Sequence, residues 1–286
     1  MGTNRQYKDS VFTKLFSDKD NLLELYNAIE NKNYDKDTEI EITTLENVLY
    51  MDMRNDISFL IDGKIVVLIE HQSTINPNMP LRMLLYISRI YEKITESDSL
   101  YRSSKMQIPS PEFIVLYNGK DTYPDKQTLK LSEMFKQHGK ESPINLELEV
   151  KVYNINKGHN PEFAKNSEAL DGYEIFIDAV REYEKTMSRE DAIRKAVSDC
   201  IKRNVLKKFF EYNSSEVVNM LLTEWNWDDA MRVREEEGRQ EGIQQGMQQG
   251  MQQGMQQGMQ QGMKNIVALW EQGISLSEAK KKLGLE

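Results

Sequence analysis

The sequence predicts an α/β protein in which a mixed central sheet is flanked by helices and followed by a helical C-terminal extension. Three observations support this prediction. Apolar residues recur at helical spacing near the N-terminus, strand-like apolar runs follow, and mainly helical patterns occur after Pro161. The 286 residues would form one large domain or two ordinary ones, because single cores usually stop growing at roughly 250–300 residues.

The first part of the chain combines a helical pattern with three strand-like runs. The helical pattern extends from about residue 9 to residue 29, and the polar residues 17–20 could divide it into two pieces. The strand-like runs lie at residues 46–53, 56–61 and 65–69. Asp62-Gly63 between the last two is typical of a hairpin turn. The run 65–69 is continuously apolar, which indicates a central strand covered on both faces.

A helix and two further strands complete the predicted sheet. Pro77 and Pro80 end the extended region, and the pattern then indicates a helix of about four turns over residues 81–94. Strands follow at 112–117 and at about 146–153. Three helices come next, at about 168–185, from the N-cap Ser188 onward, and through 217–222.

The composition changes sharply at Gly238, from which glycine recurs every four residues as far as Gly262. Methionine recurs at the same interval from Met247 to Met263, which gives a repeated Gly-Met-Gln-Gln unit. A step of four residues turns 400° on an α-helix, so a methionine stripe would drift about 40° per repeat. The repeat therefore forms either a helix that pairs with another chain or a loose tether. Near the C-terminus, Ser275-x-x-Glu278 is a capping-box pattern. The predicted organisation is a core at 1–160, a helical region at 161–237, the repeat at 238–263 and a short helical pair at 264–286.

Charge and composition exclude some classes of function. The net charge of −9 argues against a general polyanion binder, because such proteins neutralise phosphates with Lys and Arg. No apolar run approaches the roughly 20 residues that span a bilayer, so we expect a cytoplasmic protein without a membrane partner. Cys200, the single cysteine, has no companion for a disulfide or a zinc cluster. One basic cluster would be either a DNA-binding surface or a solvated helix face: Arg189, Arg194, Lys195, Lys202, Arg203, Lys207 and Lys208.

The residues that could carry chemistry lie at the polar end of the predicted hairpin. Asp56 stands at the outer end of one strand, and Glu70-His71-Gln72 stands at the outer end of its partner. Because side chains alternate along a strand, Glu70 and Gln72 face one side of the sheet and His71 faces the other. Three polar groups could therefore meet at one edge of the sheet.

The length of the turn decides whether Asp56 joins this group. A two-residue Asp62-Gly63 loop would pair Asp56 with Ile69 and send its side chain to the face opposite Glu70. We therefore predict a three-residue loop or a β-bulge, either of which restores the matching face and lets Asp56 approach Glu70 diagonally.

These residue types suit Mg²⁺, or another divalent cation such as Mn²⁺, because such ions prefer oxygen ligands. Asp56 and Glu70 would be carboxylate ligands, and the backbone carbonyl of His71 would be a third. Gln72 would orient a water molecule or a phosphate, since an amide can act neither as a cation nor as a general base. The predicted catalytic residues are therefore Asp56, Glu70 and Gln72, with no further cofactor.

The pattern resembles a known family. The residues that carry the resemblance are Asp56, the string Glu70-His71-Gln72-Ser73, the motif Met79-Pro80-x-Arg82, and Tyr86. They are similar to the PD-(D/E)XK nuclease superfamily, in particular its recombination-promoting nuclease (Rpn) and transposase family, and the resemblance extends from about residue 7 to residue 153. Gln72 stands where the superfamily usually has lysine, although glutamine is common in the matching family.

The resemblance implies a restriction-endonuclease-like core and divalent-metal cleavage of DNA phosphodiester bonds. It also implies a role in DNA recombination or in defence against foreign DNA. The acid that such folds often draw from the first helix would be Glu24 or, alternatively, Glu46. Arg82 could line a phosphate path beside the site, or it could be an ordinary surface group.

Two other functions remain open from the sequence. The chain could be a catalytically inactive DNA-associated or assembly protein, in which the helical C-terminal third and the repeat form a homo-oligomer. The repeat could also be regulatory, because tandem units can expand or contract and methionines offer internal start sites. Metal binding at Asp56 and Glu70 would separate the nuclease from the inactive assembly protein.

Overall fold

The computed structural model has a six-stranded sheet at its centre. The strands are β1 (Ile40–Ile42), β2 (Ile57–Ile61), β3 (Ile65–Gln72), β4 (Ser110–Tyr117), β5 (Lys126–Lys130) and β6 (Glu149–Asn154). Their order in the sheet is β1-β2-β3-β4-β6-β5. β3, β4 and β6 are parallel, whereas β1, β2 and β5 each pair antiparallel with their neighbours. The structure describes residues 10–44, 56–95, 100–101, 103–136, 144–282 and 284.

Eight α-helices accompany the sheet in the described residues. They are α1 (Val11–Phe16), α2 (Lys19–Glu30), α3 (Met79–Ile94), α4 (Pro161–Asn166), α5 (Glu168–Glu184), α6 (Arg189–Lys202), α7 (Lys207–Glu271) and α8 (Leu276–Lys282). The first two are separate helices because Ser10 and Asp18 each accept backbone N–H groups from the turn that follows. The predicted division of the first helical pattern is therefore confirmed, as is the N-cap at Ser188.

Two apolar cores lie on opposite faces of the sheet because strand side chains alternate in direction. One core joins α1, α2, α5, α6 and the first turns of α7 to residues such as Phe59 and Val67. The other packs α3 against residues such as Leu60 and Leu68. β3 is buried on both faces, which confirms the central strand expected from its apolar run. This layering is the α/β restriction-endonuclease-like fold that the sequence predicts.

The β2–β3 hairpin has the three-residue loop that the sequence predicts. Ile61 pairs with Ile65, so three residues, 62–64, form the connection. Asp62 and Gly63 both have positive φ angles, of 48° and 62°, which Gly adopts without strain. The same register pairs Ile57 with Ile69 and therefore sets position 56 directly opposite position 70. The prediction that Asp56 approaches Glu70 diagonally was therefore wrong, because the two positions lie directly opposite each other.

The structure differs from the sequence-based prediction at the sheet edges and on α3. The sequence pattern does not reveal β1, which has only three residues, or β5, whose side chains are almost all exposed. α3 begins at Met79, two residues before the predicted start, because Pro80 fits the first turn of a helix. The strand predicted at residues 46–53 lies outside the described residues.

The structure divides into two units, Met1–Asp228 and Asp229–Glu286. In the second unit α7 continues through the Gly-Met-Gln-Gln repeat to Glu271, so the repeat is helical here. Ser275 and Glu278 form the predicted capping box, with Ser275 N–H donating to the Glu278 carboxylate at 3.4 Å.

Across the described residues, none of the helices combines the length and apolarity required to cross a membrane.

Gly119, just after β4, is predicted to be irreplaceable at the end of the sheet that carries Asp56 and Glu70. A Cβ atom there would lie 2.1 Å from the backbone oxygen of Ser73 and 2.4 Å from Tyr117 Oη. Gly119→Ala should therefore lower the free energy of unfolding by about 1–3 kcal/mol, measured by urea denaturation. Gly250→Ala is the control, because its Cβ meets nothing within 4 Å. Native-like stability of Gly119→Ala would contradict the prediction.

Candidate active site

Asp56 and Glu70 hold each other in place at the open end of the hairpin. The backbone N–H of Asp56 donates to Glu70 Oε1 at 3.1 Å, and Asp56 Oδ2 accepts the backbone N–H of His71 at 2.8 Å. Glu70 is buried, whereas Asp56 is half-buried. The backbone of each strand thus positions the acid of the other, and two carboxylates stand side by side at one edge of the sheet.

The side chains that follow Glu70 alternate as the sequence predicts. Gln72 lies on the same face as Glu70, and its Nε2 lies 2.8 Å from Met79 Sδ at the start of α3. His71 lies on the opposite face, where its ring stacks on Phe12 with 4.5 Å between ring centroids. The imidazole of His71 therefore does not enter the Asp56–Glu70 site, and only the backbone of His71 can contribute a ligand.

The backbone carbonyl of His71 is directed toward β2 and the Asp56 side of the site. Gln72 O accepts the backbone N–H of Asn118, at 2.9 Å, so the backbone groups of Gln72 point toward β4. Backbone groups of successive strand residues point to opposite neighbours. Those of His71 therefore point toward β2, in agreement with the N–H that Asp56 accepts.

Arg82, on the first turn of α3, completes the polar cluster. Its Nη2 donates to Glu70 Oε2 at 3.1 Å and to Tyr86 Oη at 2.8 Å. Burial alone would lower the pKa of the Arg82 guanidinium, but the charge of Glu70, together with Tyr86 and Asp56, outweighs burial, so the pKa is raised. Burial together with the charge of Glu70 raises the pKa of Tyr86 to about 12. Arg82 is thus a cation paired with the predicted ligand Glu70, rather than an ordinary surface group.

A buried network supports the site from the other face of the sheet. His71 Nε2 lies 3.0 Å from Tyr173 Oη, and Asn118 Nδ2 donates to the same oxygen at 3.1 Å. Burial, with a smaller contribution from the charge of Arg181, lowers the pKa of His71 to about 3. The imidazole is therefore neutral near pH 7, and Glu224, 3.9 Å from Nδ1, makes no ion pair with it. The local sequence gives no signal for this network, because Tyr173 lies 102 residues from His71.

A comparison with protein families assigns the chain. A family model described as "Putative transposase, YhgA-like" matches residues 9–170, more than half of the chain. The chain belongs to this family. The YhgA-like family is part of the PD-(D/E)XK and Rpn-like group, so the resemblance in the sequence is confirmed. Membership suggests a nuclease-like or transposase-like role and implies interaction with DNA. No curated protein matches the chain, and no solved structure matches it.

The site of this YhgA-like chain offers oxygen ligands that fit a hard divalent cation. The donors are the adjacent carboxylates of Asp56 and Glu70 and the carbonyl of His71, which is the ligand chemistry that Mg²⁺ prefers. Within the described residues, no group of three or more His, Cys, Asp or Glu side chains is placed to hold a metal. A cation here would therefore bind two protein carboxylates and complete its shell with backbone, water or phosphate oxygens.

The acid expected from the first helix has a different position. Glu24 Oε1 accepts the backbone N–H of Glu168 at 2.8 Å and so caps the start of α5. Glu24 also lines a cleft of about 590 Å³ together with Asp171 and Glu174, and no described contact joins it to Asp56. The alternative, Glu46, lies outside the described residues.

Part of the basic cluster of residues 189–208 is neutralised by acids nearby. The close pairs are Arg189–Glu184 at 2.7 Å, Arg194–Glu190 at 2.6 Å and Lys202–Asp199 at 3.3 Å. These pairs are mostly local contacts on exposed helix surface, where each contributes little to stability. The structure therefore favours a solvated helix face over a DNA-binding surface for these residues.

Removing the Tyr173 hydroxyl is expected to destabilise the chain. Tyr173→Phe deprives the buried His71 nitrogen and the Asn118 amide of the oxygen that they share, which should cost about 1–3 kcal/mol of unfolding free energy. Urea denaturation measures this loss. Tyr212→Phe serves as the matched control because Tyr212 is exposed. Equal unfolding midpoints for the two variants would disprove the role of the network.

Glu174 is expected to make stability depend on pH. Burial, with a contribution from Asp171, raises the pKa of Glu174 from 4.5 to about 7. The folded state therefore binds the proton more tightly than the unfolded state, and stability is lost as pH rises from about 4.5 through about 7. Glu174→Gln should be more stable than the native chain by about 2 kcal/mol at pH 8, and this gain should vanish below pH 4.5.

Unfolding free energies at pH 4 and pH 8 test this dependence. Glu162→Gln is the control, because Glu162 lies on the neighbouring helix α4 with an exposed side chain. A gain in Glu174→Gln that is the same at both pH values would contradict the assignment.

Proposed function

We propose that this chain is a metal-dependent DNA endonuclease that hydrolyses phosphodiester bonds in the cytoplasm, in DNA recombination or in defence against foreign DNA. The observation that supports this proposal most strongly is the reciprocal contact of Asp56 and Glu70, in which the backbone of each strand positions the carboxylate of the other. The same residues carry the sequence resemblance to the PD-(D/E)XK superfamily, and the chain belongs to a family of that group.

Each residue at the hairpin end has a defined part in this reaction. Asp56 and Glu70 would hold Mg²⁺ or Mn²⁺, and the His71 carbonyl would supply a further oxygen. When bound, the cation supplies Lewis-acid chemistry, polarising a phosphate oxygen and lowering the pKa of a coordinated water. The Gln72 amide, beside Met79, can donate a hydrogen bond to a phosphate or accept one from a water.

The rigidity of the site favours catalysis over simple binding. β3 is buried on both faces, and the His71 ring is fixed by Phe12 and Tyr173 on the face away from the site. The backbone that carries Glu70, the His71 carbonyl and Gln72 therefore cannot shift without disturbing packed neighbours. Preorganised ligands of this kind avoid the cost of reorganisation during the reaction.

The repeat supports a second part of the proposal, a homo-oligomer formed through α7. The five methionines of the repeat are 61–75% exposed, and the glycines between them are in open space. Seven glycines make an isolated helix weak, at about 1 kcal/mol each relative to alanine. Pairing with the repeat of a second copy would bury the methionines and stabilise the helix.

A plasmid-nicking assay tests the nuclease. Asp56→Asn and Glu70→Gln should each reduce Mg²⁺-dependent nicking at least about 100-fold, because either change removes a charged ligand of the cation. Asp62→Asn is the matched control: it makes the same chemical change at the closed end of the hairpin, and its activity should remain native. Nicking at one common rate by all three variants and the native chain would reject the endonuclease.

A calorimetric titration with Mg²⁺ separates the nuclease from the alternative, a catalytically inactive DNA-associated or assembly protein. The native chain should bind the cation, and Asp56→Asn should bind it more weakly. Saturating Mg²⁺ binding without any nicking, or no binding at all, would favour the inactive protein.

A further inference from the structure

Arg82 brings a positive charge to the buried carboxylate that is proposed to hold the cation. The Glu70 side chain is 4% exposed and the Arg82 side chain 32% exposed, so the ion pair reaches from the interior to the surface. Gln72, at the position where the superfamily usually has lysine, carries no charge. In this chain β3 has no positive charge at position 72, and Arg82 on α3 supplies a positive charge to the site instead.

Arg82 and a divalent cation would compete for the same group. Arg82 Nη2 donates to Glu70 Oε2, and Glu70 Oε1 accepts the backbone N–H of Asp56. A guanidinium and a divalent ion that share one carboxylate repel each other at short range. When Glu70 ligates a cation, its bond to Arg82 must therefore weaken or break.

The surroundings of Arg82 provide an alternative position for its guanidinium. Tyr86 Oη accepts from the same Nη2 at 2.8 Å, and Met79 Sδ lies 3.4 Å from Nη1. These two contacts come from α3 itself and do not depend on Glu70. With about a third of its side chain exposed, Arg82 can turn toward the surface, where a phosphate bound beside Asp56 and Gln72 would lie. A guanidinium binds phosphate oxygens through two parallel hydrogen bonds.

We propose that Arg82 exchanges partners during the reaction: it neutralises Glu70 when no cation is bound, and it binds the scissile phosphate when a cation occupies the site. This inference rests on the proposed endonuclease and names the residue that replaces the missing lysine. Arg82 then has two opposite effects, because it weakens cation binding in the free protein and stabilises the negative charge that develops on the phosphate during cleavage.

The two effects make Arg82→Gln a sharp test. Removal of the competing charge should tighten Mg²⁺ binding about tenfold in the DNA-free protein, measured by calorimetric titration. The same variant should nick plasmid DNA about 100 to 1,000 times more slowly than the native chain at saturating Mg²⁺. Arg82→Lys should restore part of the nicking rate, because lysine keeps the charge but not the two-bond geometry.

Thermal unfolding provides a measurement that is independent of cleavage. Without Arg82, the charge of Glu70 loses its nearest described cation, so Arg82→Gln should melt at a lower temperature than the native chain in the absence of Mg²⁺. Mg²⁺ should then raise the melting temperature of Arg82→Gln more than that of the native chain. A purely structural Arg82 would give equal or smaller shifts in the variant.

Arg89→Gln is the matched control on the same helix. Arg89 is exposed and pairs with Glu92 at 2.7 Å, so this variant should bind Mg²⁺ and cut DNA as the native chain does. If Arg82→Gln binds Mg²⁺ no more tightly than the native chain, or nicks DNA at the native rate, the proposed exchange of partners is wrong. The endonuclease proposal would still hold in that case, provided that the native chain nicks DNA and that this nicking depends on Asp56. If the native chain itself neither binds Mg²⁺ nor nicks DNA, both proposals fail.

Discussion

The candidate site depends on the register of the β2–β3 hairpin. Three residues in the turn set Asp56 opposite Glu70 on one face of the sheet, and a turn one residue shorter would direct the two acids to opposite faces. The reciprocal backbone bonds between Asp56, Glu70 and His71 exist only in this register. A local choice of turn geometry thus determines whether two acids fourteen positions apart can act together.

A charged group on a central strand requires compensation from its surroundings. A buried carboxylate such as Glu70 is unfavourable unless hydrogen bonds and an opposite charge accompany it. Here the compensation comes from the backbone N–H of Asp56, just before β2, and from Arg82 on α3. The opposite face of the same strand carries an uncharged imidazole within an aromatic cluster. The C-terminal end of β3 therefore has a polar face and an apolar face. Because both faces are packed, the position of the Glu70 carboxylate is fixed.

Local sequence patterns predict most of this fold, and tertiary contacts decide the rest. The continuous apolar run of β3, the Asp62-Gly63 turn and the helical spacing of α3 identify those elements. β5 is a polar strand that lies at the edge of the described sheet beside β6, so its sequence lacks an apolar signal. Acids and an amide at strand ends suggest the site, but the contact of Arg82 with Glu70 depends on how α3 lies on the sheet. The Tyr173 network joins residues far apart in the sequence and has no local signature.

The helical repeat has a consequence for how this protein can vary in length. One Gly-Met-Gln-Gln unit adds four residues, so a DNA change of one unit preserves the reading frame. Each added unit within α7 moves the residues that follow it by about 6 Å along the helix axis. It also rotates them about the axis by about one-ninth of a full turn. Homologous chains that differ only in unit number would therefore carry α8 at graded distances and azimuths from the start of the repeat.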